Sequence, residues 1–196
     1  FGVGIVHLAV AKTDEERRQV FAAIGPVWDG NEVWLIAAGG VLFFAFPRAY
    51  AAALSGLYLP FMMVLWLLIL RGVAIEARSQ LQHVLWRAGF DVMFTFASAI
   101  MALVLGVALG NLVRGVPVDE KGWFREDLFT NFHPTGHDLG AIDVYTLLVG
   151  LFAVATLAAH GATYLVWKTD GPVRERSRDA ARRLWPGWIL RRIRRR

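Results

Sequence analysis

Asp29, Asn31 and Glu32 are the residues whose types and spacing are best suited to chemistry. They lie in Trp28-Asp29-Gly30-Asn31-Glu32-Val33-Trp34, just after Gly25-Pro26 and just before fifteen uncharged residues, 33–47. Pro26 suits the first position of a helix, where its missing N–H costs nothing. A spacing of three puts the two carboxylates on nearly the same helical face. A carboxylate at membrane depth is costly, and by default it marks an ion or proton pathway. The same two acids also suit the N-terminus of a helix at an aqueous interface, where they complement its dipole. Fifteen residues fall short of the roughly twenty needed to cross a bilayer. A crossing helix must therefore draw in the turn bearing Asp29 and Glu32, or run past Arg48.

Fewer candidates lie elsewhere. Arg71, Glu76 and Arg78 close a second apolar block; Arg71 could snorkel to the interface, or pair with Glu76 or with an acid on a neighbouring helix. Gly39-Gly40 permits a close helix neighbour, and Gly106-Val107-Ala108-Leu109-Gly110 is a GxxxG packing face. His160, inside an apolar block, could be an axial haem ligand, but a hydrogen-bonded packing residue is the commoner case. His133, His137 and Asp138 invite a zinc reading. Pro134 and Gly136 break any helix that would align the two imidazoles, so no metal site is assigned. His7 and His83 lie in links and carry no motif.

The positioning elements are membrane helices. Of 196 residues, 56% are hydrophobic and 19% charged, a balance that a soluble domain of this size would not need. The absence of cysteine excludes disulfides and thiolate-ligated metals. The net charge of +5 comes from residues 174–196, which hold ten arginines against Glu175 and Asp179. The rest of the chain is slightly acidic, so no nucleic-acid footprint is present. Four apolar blocks, about 28–52, 57–77, 92–113 and 144–167, predict an all-α bundle of four transmembrane helices. Pro47 predicts a kink or break near the end of the first block. Ser55-Gly56 is the expected turn after it.

Between the blocks, residues 5–24 read as a short amphipathic link opened by a capping box, Thr13 to Glu16. Residues 79–89 read as a helix extension lying on the membrane surface. Residues 114–142 form an outer loop. Seventeen of the twenty-one lysines and arginines fall in links 5–24, 71–91 and 168–196. That asymmetry puts these links, and the C-terminal end, in the cytoplasm.

Trp28-Asp29-Gly30-Asn31-Glu32-Val33-Trp34-Leu35, with Gly39-Gly40 and Phe46-Pro47, closely resembles the second subunit of cytochrome bd-type quinol oxidases. Arg71-Gly72-Val73-Ala74-Ile75-Glu76-Ala77-Arg78, Gly110-Asn111-Leu112-Val113-Arg114-Gly115-Val116-Pro117 and His160-Gly161-Ala162-Thr163-Tyr164-Leu165 extend the resemblance over residues 1 to about 180. It implies a multi-pass subunit of a bacterial or archaeal cell (inner) membrane. Residues 1–168 would be the N-terminal half of a larger polytopic subunit, with Phe1-Gly2-Val3-Gly4 as the end of a first membrane helix. Residues 169–196 would be a basic cytoplasmic tail with a truncated or altered end.

The resemblance further implies a partner, the haem-bearing subunit I, which would carry haems b and d and the quinol site. The complex would oxidise quinol and reduce dioxygen. This chain would hold no haem, would not be catalytic alone, and is compatible with a structural quinone or bound membrane lipids. Asp29 would be its proton-carrying residue, with Asn31 and Glu32 as polar neighbours. Two other readings remain: an ion or proton transporter or channel subunit using the same acids, and a purely structural membrane scaffold. Thr95 and Ser98 alone between 95 and 110 provide little for a substrate pathway.

Overall fold

The computed structural model describes residues 1–116, 118–120, 122–123 and 140–185, and all regular secondary structure among them is helical. In chain order the helices are α1 Gly2–Val10, α2 Asp14–Ile24, α3 Trp28–Ala45, α4 Pro47–Gly56, α5 Tyr58–Ala77, α6 Val84–Arg114, α7 Val144–Lys168 and α8 Gly171–Leu184. Three of them, α5, α6 and α7, are long and apolar enough to cross a membrane.

The expected first block, 28–52, is not one helix. It ends as α3 at Ala45 and restarts as α4 at Pro47, with Phe46 between them at φ −136° and ψ 60°. Proline disfavours helical geometry in the residue before it and has no N–H to continue the ladder, so the break falls where Pro47 dictates. The polar turn Asp29-Asn31-Glu32 lowers the apolarity of the remaining eighteen residues. The turn expected at Ser55-Gly56 is a one-residue joint at Leu57 instead.

Two links also differ from expectation. Residues 79–89 hold no separate surface helix. The chain turns at 78–83 and enters α6 at Val84, eight residues before the predicted block. Thirty-one residues rise about 46 Å, against a hydrocarbon core of about 30 Å, so α6 overhangs the bilayer by several turns. Residues 5–24 are not one link: Asp14–Ile24, as α2, has the expected amphipathic form, with Val20 and Ile24 buried. Residues 5–10 belong to α1, which is apolar and lies at the centre of the core, where Val3, Val6 and Val10 pack with Phe94, Ala158, Ala162 and Leu165. Small residues permit that position: a Cβ on Gly2 or on Gly161 would fall on the backbone of the other helix.

Close helix approach recurs between α6 and α7. A Cβ on Gly106 would lie 2.7 Å from the Gly150 Cα and 2.7 Å from the Ala153 Cβ, and one on Gly110 would lie 3.1 Å from the Thr146 Cα. Asn111 fastens the same end, donating to the carbonyls of Val107 and Ala141. Beside it Arg114 pairs with Asp143, the N-cap of α7. At the opposite end the capping box of α2 forms as the sequence predicts, Glu16 N–H to Thr13 Oγ1 and Thr13 N–H to Glu16 Oε2. Residues 171–184, expected as a basic tail, form α8, whose Val173, Ser177 and Ala181 pack against the bundle. The remaining tail, 186–196, and the group His133, Pro134, Gly136, His137 and Asp138 lie outside the described residues.

Candidate functional site

The predicted site lies on the first turn of α3. Asp29 and Asn31 are exposed, and neither side chain has a hydrogen bond or ion pair with a described residue. Glu32 is only partly exposed and pairs with Arg71 of α5. Of the partners open to Arg71 in the sequence, the acid on a neighbouring helix is the one found. Glu76 is exposed and points elsewhere. Arg71 is 5% exposed, and its guanidinium also stacks on the Phe1 ring, 4.6 Å from the ring centre. The two predicted carboxylates are therefore unlike each other, one tied to a buried cation and one exposed without a partner among the described residues.

Among the described residues, nothing covers α3. None of its residues is buried, and Trp34, Ile36 and Phe44 are largely exposed. A Cβ on Gly39 or Gly40 would meet nothing within 4 Å, so these glycines have no close helix neighbour among the described residues. The helix rests on α5 at one place, where the Trp28 ring lies 3.8 Å from the Cβ position of Gly72, beside the Glu32–Arg71 pair.

The deepest charged group is one the sequence reading did not single out. Asp91, near the start of α6, is fully buried and receives four donors. Its Oδ1 accepts from His7 Nε2 at 2.9 Å and Arg78 Nε at 2.5 Å. Its Oδ2 accepts from Arg17 Nη1 at 2.9 Å and Arg78 Nη2 at 3.1 Å. A carboxylate only accepts, so His7 carries its proton on Nε2. The His7 ring is held edge-on by Phe21 and Phe94, with ring centres 5.0 and 5.5 Å away. Arg78 also reaches Asp14, which binds Arg87 and Arg18 as well. The cluster joins α1, α2, the end of α5 and α6. Two signals pointed to it: a histidine inside an apolar helix, and one acid heading twenty-two uncharged residues.

The charges around Asp14 set its titration. Burial raises its pKa, but the Arg78 hydrogen bond and the charges of Arg78, Arg87 and Arg18 outweigh this and hold it below the ordinary carboxylate range. Glu16 is likewise lowered, first by the Lys12 backbone N–H, against burial, then by the Thr13 N–H and by Arg176 of α8. Arg78, read from sequence as an interface or ion-pair residue, is thus a buried ion-pair hub.

His160 is exposed on α7, turned out of the described bundle. No cluster of three or more histidine, aspartate or glutamate side chains among the described residues has the geometry to hold a metal ion.

Comparison with known proteins finds relatives over most of this chain. The chain is 39% identical over 180 residues to cytochrome bd-I ubiquinol oxidase subunit 2 of Escherichia coli K12, covering 92% of this chain and 46% of that protein. It is 38% identical over 184 residues to cytochrome bd ubiquinol oxidase subunit 2 of Bacillus subtilis 168, covering 94% and 52%. It is 36% identical over 183 residues to a probable cytochrome oxidase subunit 2 of Haemophilus influenzae, covering 92% and 47%. The chain thus spans about half the length of the curated relatives it matches. The family profile described as cytochrome bd terminal oxidase subunit II matches residues 1–191, and the chain belongs to that family.

Proposed function

We propose that this chain is part of the non-haem subunit of a respiratory cytochrome bd-type quinol oxidase in the cell membrane of a bacterium or archaeon. The subunit I partner would carry haems b and d, oxidise quinol and reduce dioxygen to water. The chain would support assembly of that partner and deliver protons from the cytoplasm through Asp29, with Asn31 and Glu32 as polar neighbours. In this reading α3, drawing in its polar first turn, is a fourth crossing beside α5, α6 and α7.

The observation that carries the reading is α3 itself. It is an apolar helix with no buried residue, and it holds a carboxylate without a partner among the described residues, one turn from the Glu32–Arg71 ion pair. Such a surface is covered by another protein or by lipid, and an ionisable group at its edge is a default candidate for a proton pathway. The cytoplasmic placement of that edge rests on the lysine and arginine asymmetry. A reporter fused within 119–138 should be active only outside the cytoplasm, and one fused after Lys168 only inside.

The deciding experiment is Asp29→Asn in the full-length complex. The change keeps shape and removes the titrating group. Haem content should survive, while quinol-driven oxygen uptake per haem should fall at least several-fold. Wild-type uptake per haem would leave Asp29 as a helix-end carboxylate. Loss of assembly in step with activity would favour a scaffold role.

A further inference from the structure

Arg71 is an arginine inside an apolar membrane helix, 5% exposed, with no acid of its own helix beside it. A buried cation requires a countercharge, and the only ion pair it makes among the described residues is with Glu32. The Phe1 ring covers another side of the guanidinium. On α3, Trp28 and Glu32 are four residues apart and share one face. On α5, Gly72 and Arg71 are neighbours. One turn of α3 therefore sits on one turn of α5, through an indole against a glycine and a carboxylate on a guanidinium. Asp29 lies about 100° around the helix from Trp28 and about 60° from Glu32, at the edge of the face that meets α5, and it makes no hydrogen bond or ion pair with a described residue. Since α3 has no buried residue elsewhere, this contact sets its rotation.

We propose that Arg71, acting through Glu32, is the positioning residue of the Asp29 site, and that Glu32 is not itself a proton carrier. This rests on the proton-delivery reading above and sharpens it. A carboxylate engaged by a buried guanidinium cannot pass a proton on without releasing the pair and leaving a bare cation in the bundle. Asp29 carries no such tie. The pair divides two acids of similar chemistry into an anchor and a carrier.

The test uses the full-length complex with four changes: Glu32→Gln, Glu32→Gln with Arg71→Met, the charge swap Glu32→Arg with Arg71→Glu, and Asp29→Asn. Cysteines introduced at Val41 and Val113 of an otherwise cysteine-free complex carry spin labels that report the distance from α3 to α6 without touching the contact. Glu32→Gln strands the guanidinium. It should broaden the distance distribution and lower oxygen uptake per haem several-fold. The doubly neutral variant and the charge swap should each narrow the distribution again and raise uptake several-fold above Glu32→Gln. Low uptake in the doubly neutral variant despite a restored distance would overturn the proposal, because the carboxylate would then be needed for its proton. An unchanged distance in Glu32→Gln would overturn it from the other side. Restored distances together with wild-type uptake in Asp29→Asn would refute the proton reading and leave the anchoring role standing.

Discussion

Asp91 and Asp29 stand at opposite extremes of how a membrane protein can use a carboxylate. Asp91 is fully buried and accepts from His7, Arg17 and both sides of Arg78. Asp29 is exposed and has no partner among the described residues. Along α5 the Asp91 cluster binds at Arg78 and the α3 contact at Arg71, seven residues or about 10 Å apart. Two charged sites so close in depth differ because their surroundings differ. α6 is packed by α1, α5 and α7, whereas α3 touches the adjoining α4 and one turn of α5 and buries none of its residues. A carboxylate saturated with donors holds helices together. A carboxylate left open keeps its capacity to exchange a proton.

That comparison is broken most severely at Asp91. Asp91→Asn leaves Arg78 and Arg17 with an amide in place of their countercharge. Stranding buried charges costs about 3–5 kcal/mol. Recovery of the complex and its haem content should both collapse, with a large drop in apparent melting temperature. A variant that assembles normally would show the cluster to be dispensable.

The next largest effect belongs to the tight α6–α7 face. Gly106→Leu drives a side chain into Gly150 and Ala153, where the facing atoms include backbone that cannot turn aside. Overpacking of this kind costs about 1–3 kcal/mol. Yield and haem content should fall together, whereas Gly39→Leu, whose Cβ meets nothing among the described residues, should leave the α6–α7 contact intact. Equal losses from the two variants would mean that α3 carries as tight an interface as α6.

A smaller effect should follow pH around the start of α2. Asp14 and Glu16 are both held below their ordinary range. Their stabilising contribution is thus complete above the unfolded-chain values near 4 and is lost as pH falls through the folded values. The gap in melting temperature between wild type and Glu16→Gln should be widest near neutrality and close as the pH drops below about 4. A gap that persists in acid would assign the contribution to shape and not charge.

The smallest effect on the fold is expected at the proposed site. Asp29→Asn should change stability by no more than about 0.5 kcal/mol, as for surface positions without partners, while oxygen uptake falls several-fold. Melting temperature and uptake measured on the same preparation separate it from Asp91→Asn, where both fall.

Much of the architecture was legible in the chain. Long uncharged runs gave α5, α6 and α7 within a few residues at their membrane portions, because in lipid a helix must satisfy its own backbone groups. Pro47 predicted a break, and Thr13 and Glu16 their capping box. The residues from Trp28 to Leu35 carried the family by type and spacing. The first two turns of α6 were hidden because Arg87, Gly89 and Asp91 interrupt the apolar run at its start.

Sequence alone determined the apolar spans, the caps and the position of the polar turn on α3, since these depend on neighbours within one helix. Which charges meet was decided only by tertiary structure. Arg71 had acids near it in sequence at Glu76 and took Glu32, thirty-nine positions away. His7 and Asp91, eighty-four positions apart, met because α1 lies in the core against α6. Glycines at 2 and 161 opened that seat. Helix periodicity shows which face a side chain occupies. It does not show which other helix covers that face, and in an apolar core the burial of the partner is what turns a charge into an anchor.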